Sequence, residues 1–333
     1  MSESGERILD CHFHWYPAEV EAGLNHATGA TRMHTRDWSD LDFQLARMDA
    51  LGHRVDVVSS TGPFTGLFTA IAHEESLRLT RLYNELIAQA QRDHPARVWG
   101  TCVLPLLDTD AALAELEYAV GTLGLVGVNL PGRIGPVDNI DAPRLAPLYQ
   151  RLEELGVPIF VHPNDEAFES ILDGYDGALH LSLGRVIDVS VSAYRLVLSG
   201  LMERHPGLRV AMSHTGGALP YQAGRMDKNS GAAKLPRKPS DYLHLMYTDT
   251  VSPHTAGVRF ALEFYGTDHL MYGSDYPCWD PVAALRIIDE LDLDPAARRQ
   301  VMYDNAARFY GIDSIRAAVR RNSSSMRARL AVR

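Results

Sequence analysis

Short apolar runs alternate with amphipathic helical stretches eight times between Ile8 and Tyr310, and this alternation predicts an α/β fold, a (β/α)8 TIM barrel. Two further observations support that choice. At 333 residues the chain exceeds an ordinary domain but suits one barrel with insertions. The sequence Gly-x-Gly-x-x-Gly does not follow the first run, which speaks against an open dinucleotide-binding sheet.

The first run, Ile8-Leu9-Asp10-Cys11-His12-Phe13-His14-Trp15, reads as a buried strand with two histidines at i and i+2 near its end, a spacing that puts both imidazoles on one face. Tyr16 to Trp38 is polar and rich in Gly, Thr, His and Arg; it is expected to be an extended active-site loop. A helix over Leu41–Leu51 ends at Gly52, and Val55–Ser59 forms the second strand. Helix Glu74–Arg92 leads to strand Val98–Leu104, and helix Ala111–Leu123 to strand Val126–Val128. Helix Leu145–Leu155 leads to Val157–Val161, and helix Arg185–Arg204 to Leu208–Met212. The segment Leu219–Asn229 precedes strand Leu245–Tyr247, and helix Thr255–Tyr265 precedes strand Leu270–Tyr272. Extra C-terminal helices over Val282–Leu291 and Ala296–Tyr310 complete a single barrel domain spanning 1–313. Residues 314–333 are an Arg- and Ser-rich tail expected to be solvated.

A net charge of −10 disfavours a nucleic-acid partner held through phosphates. Cys11, Cys102 and Cys278 show no paired or Cys-x-x-Cys spacing, so a reducing compartment is expected. The polar start lacks the apolar run of a signal peptide, and no stretch approaches 18 apolar residues. A cytoplasmic protein with no membrane span follows as the expectation.

Barrel enzymes carry their chemistry where strands end. Here the first strand ends in His12 and His14, the fifth in Val161-His162-Pro163-Asn164, the sixth in Ser213-His214-Thr215-Gly216-Gly217 and the eighth in Gly273-Ser274-Asp275-Tyr276-Pro277. Any one histidine after a strand is more often a packing residue. Their joint occurrence on one rim points to a metal centre. Strand four ends in Asn129-Leu130-Pro131-Gly132-Arg133 and contributes no further ligand-type residue to that rim.

These phrases, with Tyr247-Thr248-Asp249-Thr250, resemble the amidohydrolase superfamily, in the branch that contains amino-carboxymuconate-semialdehyde decarboxylase and enzymes acting on hydroxybenzoates. The resemblance implies that His12, His14, His162 and Asp275 bind one divalent ion, with His214 beside it as acid/base and Asp275 also catalytic. Three nitrogens and one oxygen suit Zn²⁺ first and Mn²⁺ second; no organic cofactor is implied. Arg225 resembles the arginine that reaches a carboxylate in a neighbouring subunit, which implies a homodimer. Arg32 falls where that branch carries its second carboxylate-binding arginine. Asn164 stands where the muconate enzyme has Trp, and Thr215 where it has Gly, so the substrate differs in detail.

Trp15 and Asn164 are expected at the substrate, with Phe64, Tyr194, Tyr276 and Trp279 as further aromatic walls. The activity expected is metal-dependent, nonoxidative decarboxylation of a conjugated or aromatic carboxylic acid. The alternatives are a hydrolase of amides, esters, lactones or C–C bonds, a hydratase, and a noncatalytic barrel.

Overall fold

The computed structural model describes residues 6–31, 35–135, 138–164 and 169–315. Arg32 and the tail from residue 316 onward lie outside them. The strands of the described residues are β1 (Arg7–His14), β2 (Arg54–Ser60), β3 (Val98–Cys102), β4 (Gly127–Pro131), β5 (Arg133–Ile134), β6 (Asp138–Asn139), β7 (Ile159–His162), β8 (Val210–Met212), β9 (Tyr247–Asp249) and β10 (Leu270–Met271). β5 and β6 form a small antiparallel hairpin; the other eight are parallel, in the order β1-β2-β3-β4-β7-β8-β9-β10.

The barrel closes between its first and last strands. Cys11 N–H donates to Tyr272 O at 2.9 Å, Asp275 N–H to His12 O at 2.8 Å, and His14 N–H to Tyr276 O at 2.9 Å. Asp10 adds a side-chain latch, accepting from Ser274 N–H at 3.0 Å and Ser274 Oγ at 2.5 Å. Burial is the main influence on the Asp10 carboxyl and raises its pKa to about 7 against these donors. With the ends joined, the parallel sheet has no exposed edge.

Strand alternation sorts the side chains into two layers. Leu9, Cys11, Val58, Trp99, Phe160, Ala211 and Met271 form one cluster with Tyr303, Phe309 and Tyr310 of the C-terminal helices. Because these residues come from six barrel strands and the C-terminal segment, they fill the lumen and plug its N-terminal mouth. The outward residues pack against the surrounding helices in the larger cluster, which includes Ile8, Val57, Leu79, Leu116, Leu152 and Leu196. In β1 the pairing register shifts between Asp10 and Phe13. That irregularity resets the alternation, so His12 and His14 aim into the same lumen as Leu9 and Cys11.

Two sequence-based expectations need correction. The stretch after β1 contains the helix Ala18–Thr28 and a short turn of helix at Arg36–Ser39. Val20 and Leu24, four residues apart, bury the first helix; Glu19 and Glu21 suit its N-terminal dipole, and Gly29 ends it at φ 69°. The polar composition masked that spacing. The helix expected over Arg185–Arg204 breaks at Gly200, φ 76°, into Arg185–Leu198 and Leu201–Arg204. Several strands also run one or two residues further than their apolar runs, so His162 and Asp249 are strand residues. Among the described residues no helix is long and apolar enough to cross a membrane.

Candidate metal centre

Three strand ends, those of β1, β7 and β10, bring His12, His14, His162 and Asp275 together, all buried, with one ligand atom from each lying within 4.8 Å of the others. The orientation of each imidazole is fixed from behind. His12 Nδ1 meets Asp249 Oδ2 at 2.6 Å, His14 Nδ1 meets Ser60 Oγ at 3.2 Å, and His162 Nδ1 meets the Pro163 carbonyl at 2.9 Å. Each contact engages Nδ1 and turns Nε2 inward. This is how coordinating histidines are usually held.

The inward atoms lack a protein solution of their own. His162 Nε2 is buried with no hydrogen-bond partner among the described residues. His12 Nε2 and His14 Nε2 stand 3.1 Å apart, and Asp275 Oδ1 lies 3.3 Å from the first and 2.9 Å from the second. Three lone-pair nitrogens and one carboxylate converging in a buried volume fit a divalent cation, and the donor set suits Zn²⁺ or Mn²⁺.

The charge states agree with that fit. Burial works against protonation of His12, but Asp275 and Asp249 outweigh it and raise its pKa to about 10. Burial and the neighbouring His12 charge lower His14 to about 4, and burial drives His162 well below the usual histidine range. Asp275 stays ionised: burial opposes its charge, but His12 and the hydrogen bonds from His12, His14 and His214 hold its pKa well below the usual carboxylate value. Of the three imidazoles, His12 is the one whose protonated form is favoured, while His14 and His162 favour the neutral form.

His214 adjoins the cluster without joining it. Its ring centre lies 5.1 Å from that of His12 and 5.3 Å from that of His162, and its Nε2 is 3.7 Å from Asp275 Oδ2. His214, Thr215 and Asp275 all adopt left-handed backbone, at φ 53°, 55° and 55°. Such conformations cost of order 1–3 kcal/mol each and concentrate at functional sites. Gly62, also left-handed at φ 54°, passes so close to His14 that a Cβ there would lie 2.3 Å from ring atoms.

The other predicted site residues separate. Asn164 lies two residues after His162; its backbone N–H donates to Asp188 Oδ2 at 2.7 Å, and its Oδ1 is buried with no partner among the described residues. Trp15 places its indole N–H on the Ser39 carbonyl at 2.9 Å. The ring that faces His14 is Trp38, parallel to it within 4° at 6.3 Å, with Phe64 edge-on to Trp38 at 5.4 Å. Tyr276 stacks on Phe13 and bonds Asp37. Tyr194 and Arg225 line a groove of about 290 Å³ between the helices Arg185–Leu198 and Leu219–Asn229, to which none of the clustered histidines contributes.

Sequence reasoning missed Ser60, Trp38 and the role of Asp249. Asp249 closes β9, so the strand-end rule that found His162 and Asp275 would have found it too.

The sequence profile of the amidohydrolase family matches residues 9–312, nearly the whole described chain. The chain belongs to that family. This amidohydrolase is 28% identical to a gamma-resorcylate decarboxylase of Rhizobium sp., over 82% of its own length and 87% of the relative's. It is 25% identical to 2-amino-3-carboxymuconate-6-semialdehyde decarboxylase of Dictyostelium discoideum, over 82% and 77% of the two chains. Among solved structures it resembles a dihydroxybenzoic acid decarboxylase of Polaromonas sp., with bound manganese and the inhibitor 2-nitroresorcinol, at 25% identity and a TM-score of 0.76 over 93% of this chain and 97% of that one.

Proposed function

We propose that this amidohydrolase is a metal-dependent carboxy-lyase that removes CO₂, without oxidation, from an aromatic or conjugated carboxylic acid. The observation that carries the reading is the buried His12–His14–His162–Asp275 set with His214 beside it. The names of the relatives and the manganese in the Polaromonas enzyme support it. A divalent ion held by these four groups, Zn²⁺ or Mn²⁺, supplies Lewis-acid attraction for electron-rich oxygens of the substrate.

The chain's own residues do the rest. His14 and His162, neutral at pH 7, offer their Nε2 atoms without first losing a proton. Trp38 and Phe64 provide apolar cover beside His14, keeping water from a carbanion-like centre. When the bond between the ring and its carboxylate breaks, the electron pair stays on the ring carbon and CO₂ departs. His214 then delivers a proton to that carbon, so the sum is acid anion plus proton giving CO₂ and the hydrogen-bearing product.

The substrate carboxylate needs a cation, and Arg225 suits the task from a neighbouring subunit. It is exposed on the outer groove and makes no ion pair among the described residues. Its helix also exposes Tyr221, and the segment before Arg185–Leu198 exposes Ile171, Tyr175, Leu181 and Leu183. That much apolar surface fits a second copy of this chain, giving a homodimer. Arg32 is the second carboxylate contact in this reading, Asn164 lies beside the substrate, and the enzyme works in the cytoplasm.

The test combines metal analysis with CO₂ release from 2,6-dihydroxybenzoate, other hydroxybenzoates and muconate-like acids. Stoichiometric CO₂ from any of these, lost on chelation and restored by Zn²⁺ or Mn²⁺, is the expected result. Metal-loaded protein that cleaves esters, lactones or amides but releases no CO₂ would replace this reading with the hydrolase.

A further inference from the structure

The Asp249 carboxylate, fully buried at the end of β9, is the meeting point of three donors from three parts of the chain. His12 Nδ1 lies 2.6 Å from Oδ2, while Oδ1 takes the backbone N–H of Thr215 at 3.1 Å and of Val251 at 3.0 Å. His12 belongs to the candidate ligand set, and Thr215 is the left-handed residue directly after His214. We infer that Asp249 is a positioning residue that fixes, with its two oxygens, both the ring orientation of a metal ligand and the turn that presents the acid/base histidine. The inference rests on the proposed metal-binding reading and adds a residue to which the strand-end phrases assign no role.

The chemistry admits few substitutes. All three incoming groups donate, so the acceptor must offer lone pairs on both atoms, as an ionised carboxylate does. An asparagine cannot. With its oxygen toward His12, its NH₂ faces the Thr215 and Val251 N–H groups, and donors confront donors. Flipped, the NH₂ donates to His12 Nδ1 and forces the ring proton onto Nε2, the atom that faces His14 and Asp275. The first arrangement loosens the His214 turn; the second blocks coordination by His12.

The experiment compares the full-length protein with Asp249→Asn and Asp249→Glu, stripped by chelator and titrated with Zn²⁺ and Mn²⁺ against a competing indicator. Asp249→Asn is expected to weaken the ion by about 10–100-fold, the range for loss of a partner behind a ligand. In a His12→Ala background the same change should cost no further affinity, because Asp249 acts on the ion only through that ring. At saturating metal, the turnover of Asp249→Asn should stay below wild type with KM little changed, since the His214 turn is no longer held. Asp249→Glu keeps the charge but displaces it by one methylene; it should lose affinity as well, and it carries the test if the Asn variant does not fold. Wild-type affinity in whichever variant folds would overturn the inference. A wild-type protein that binds neither ion would instead overturn the underlying metal reading.

Discussion

His12 Nε2 and His14 Nε2 face each other at 3.1 Å in a fully buried setting, and Asp275 Oδ1 lies 3.3 Å from the first and 2.9 Å from the second. A proton on His12 Nε2 therefore competes with a cation for the same lone pair. Since His12 is raised to about 10 and coordination needs its bare Nε2, metal binding must expel the proton. His14 at about 4 and His162 below its usual range release none at pH 7. Affinity should therefore rise with pH, by about tenfold per unit below 10 while the protein stays folded. Isothermal titration of Zn²⁺ in buffers of different ionisation enthalpy should report about one proton released at pH 7. An enthalpy independent of buffer would sink the expectation.

Gly62 also bears on His14, close to its ring. An alanine there must adopt a left-handed φ and place its methyl against the imidazole, so the ring has to turn away from Asp275. Gly62→Ala should lower metal affinity by about 10–100-fold, as loss of ligand orientation does elsewhere. Metal content after gel filtration, read beside a circular dichroism spectrum of unchanged shape, checks it.

His214 stands next to the ligand set, so its removal separates catalysis from binding. His214→Ala should cut kcat by roughly 10²–10⁴-fold, the usual share of general acid/base help, while metal stoichiometry stays at one per chain. Loss of the ion together with the activity would make His214 a ligand.

Arg225 and His214 provide a test of subunit sharing. Arg225→Ala and His214→Ala homodimers should each be nearly inactive, whereas mixed dimers place one intact site in every heterodimer. Recovery of up to half the wild-type activity is expected on mixing, measured on heterodimers purified through two affinity tags. No recovery in those heterodimers means that Arg225 acts within its own chain or not at all.

Much of the barrel was legible because parallel strands buried on both faces must read as short apolar runs, as Ile159–Val161 and Val210–Met212 do. The clustered side chains were legible for a related reason: a polar residue within a few positions after such a run, His162 or Asp275, stands on the rim. What remained hidden depended on contacts that sequence spacing does not encode. Trp38 reaches His14 only because the helices after β1 fold the chain back over the strand end. The break at Gly200 was hidden by an apolar pattern that continues on both sides of it.

The plug of Tyr303, Phe309 and Tyr310 at the foot of the barrel has a consequence for traffic. With that end stoppered by packed side chains, acid entry and the exit of CO₂ and the decarboxylated product fall to the end of the barrel that carries His12, His14, His162 and Asp275. Each turnover must then clear the shaft before the next molecule descends, and a bulky product lingering near Trp38 would delay the following cycle.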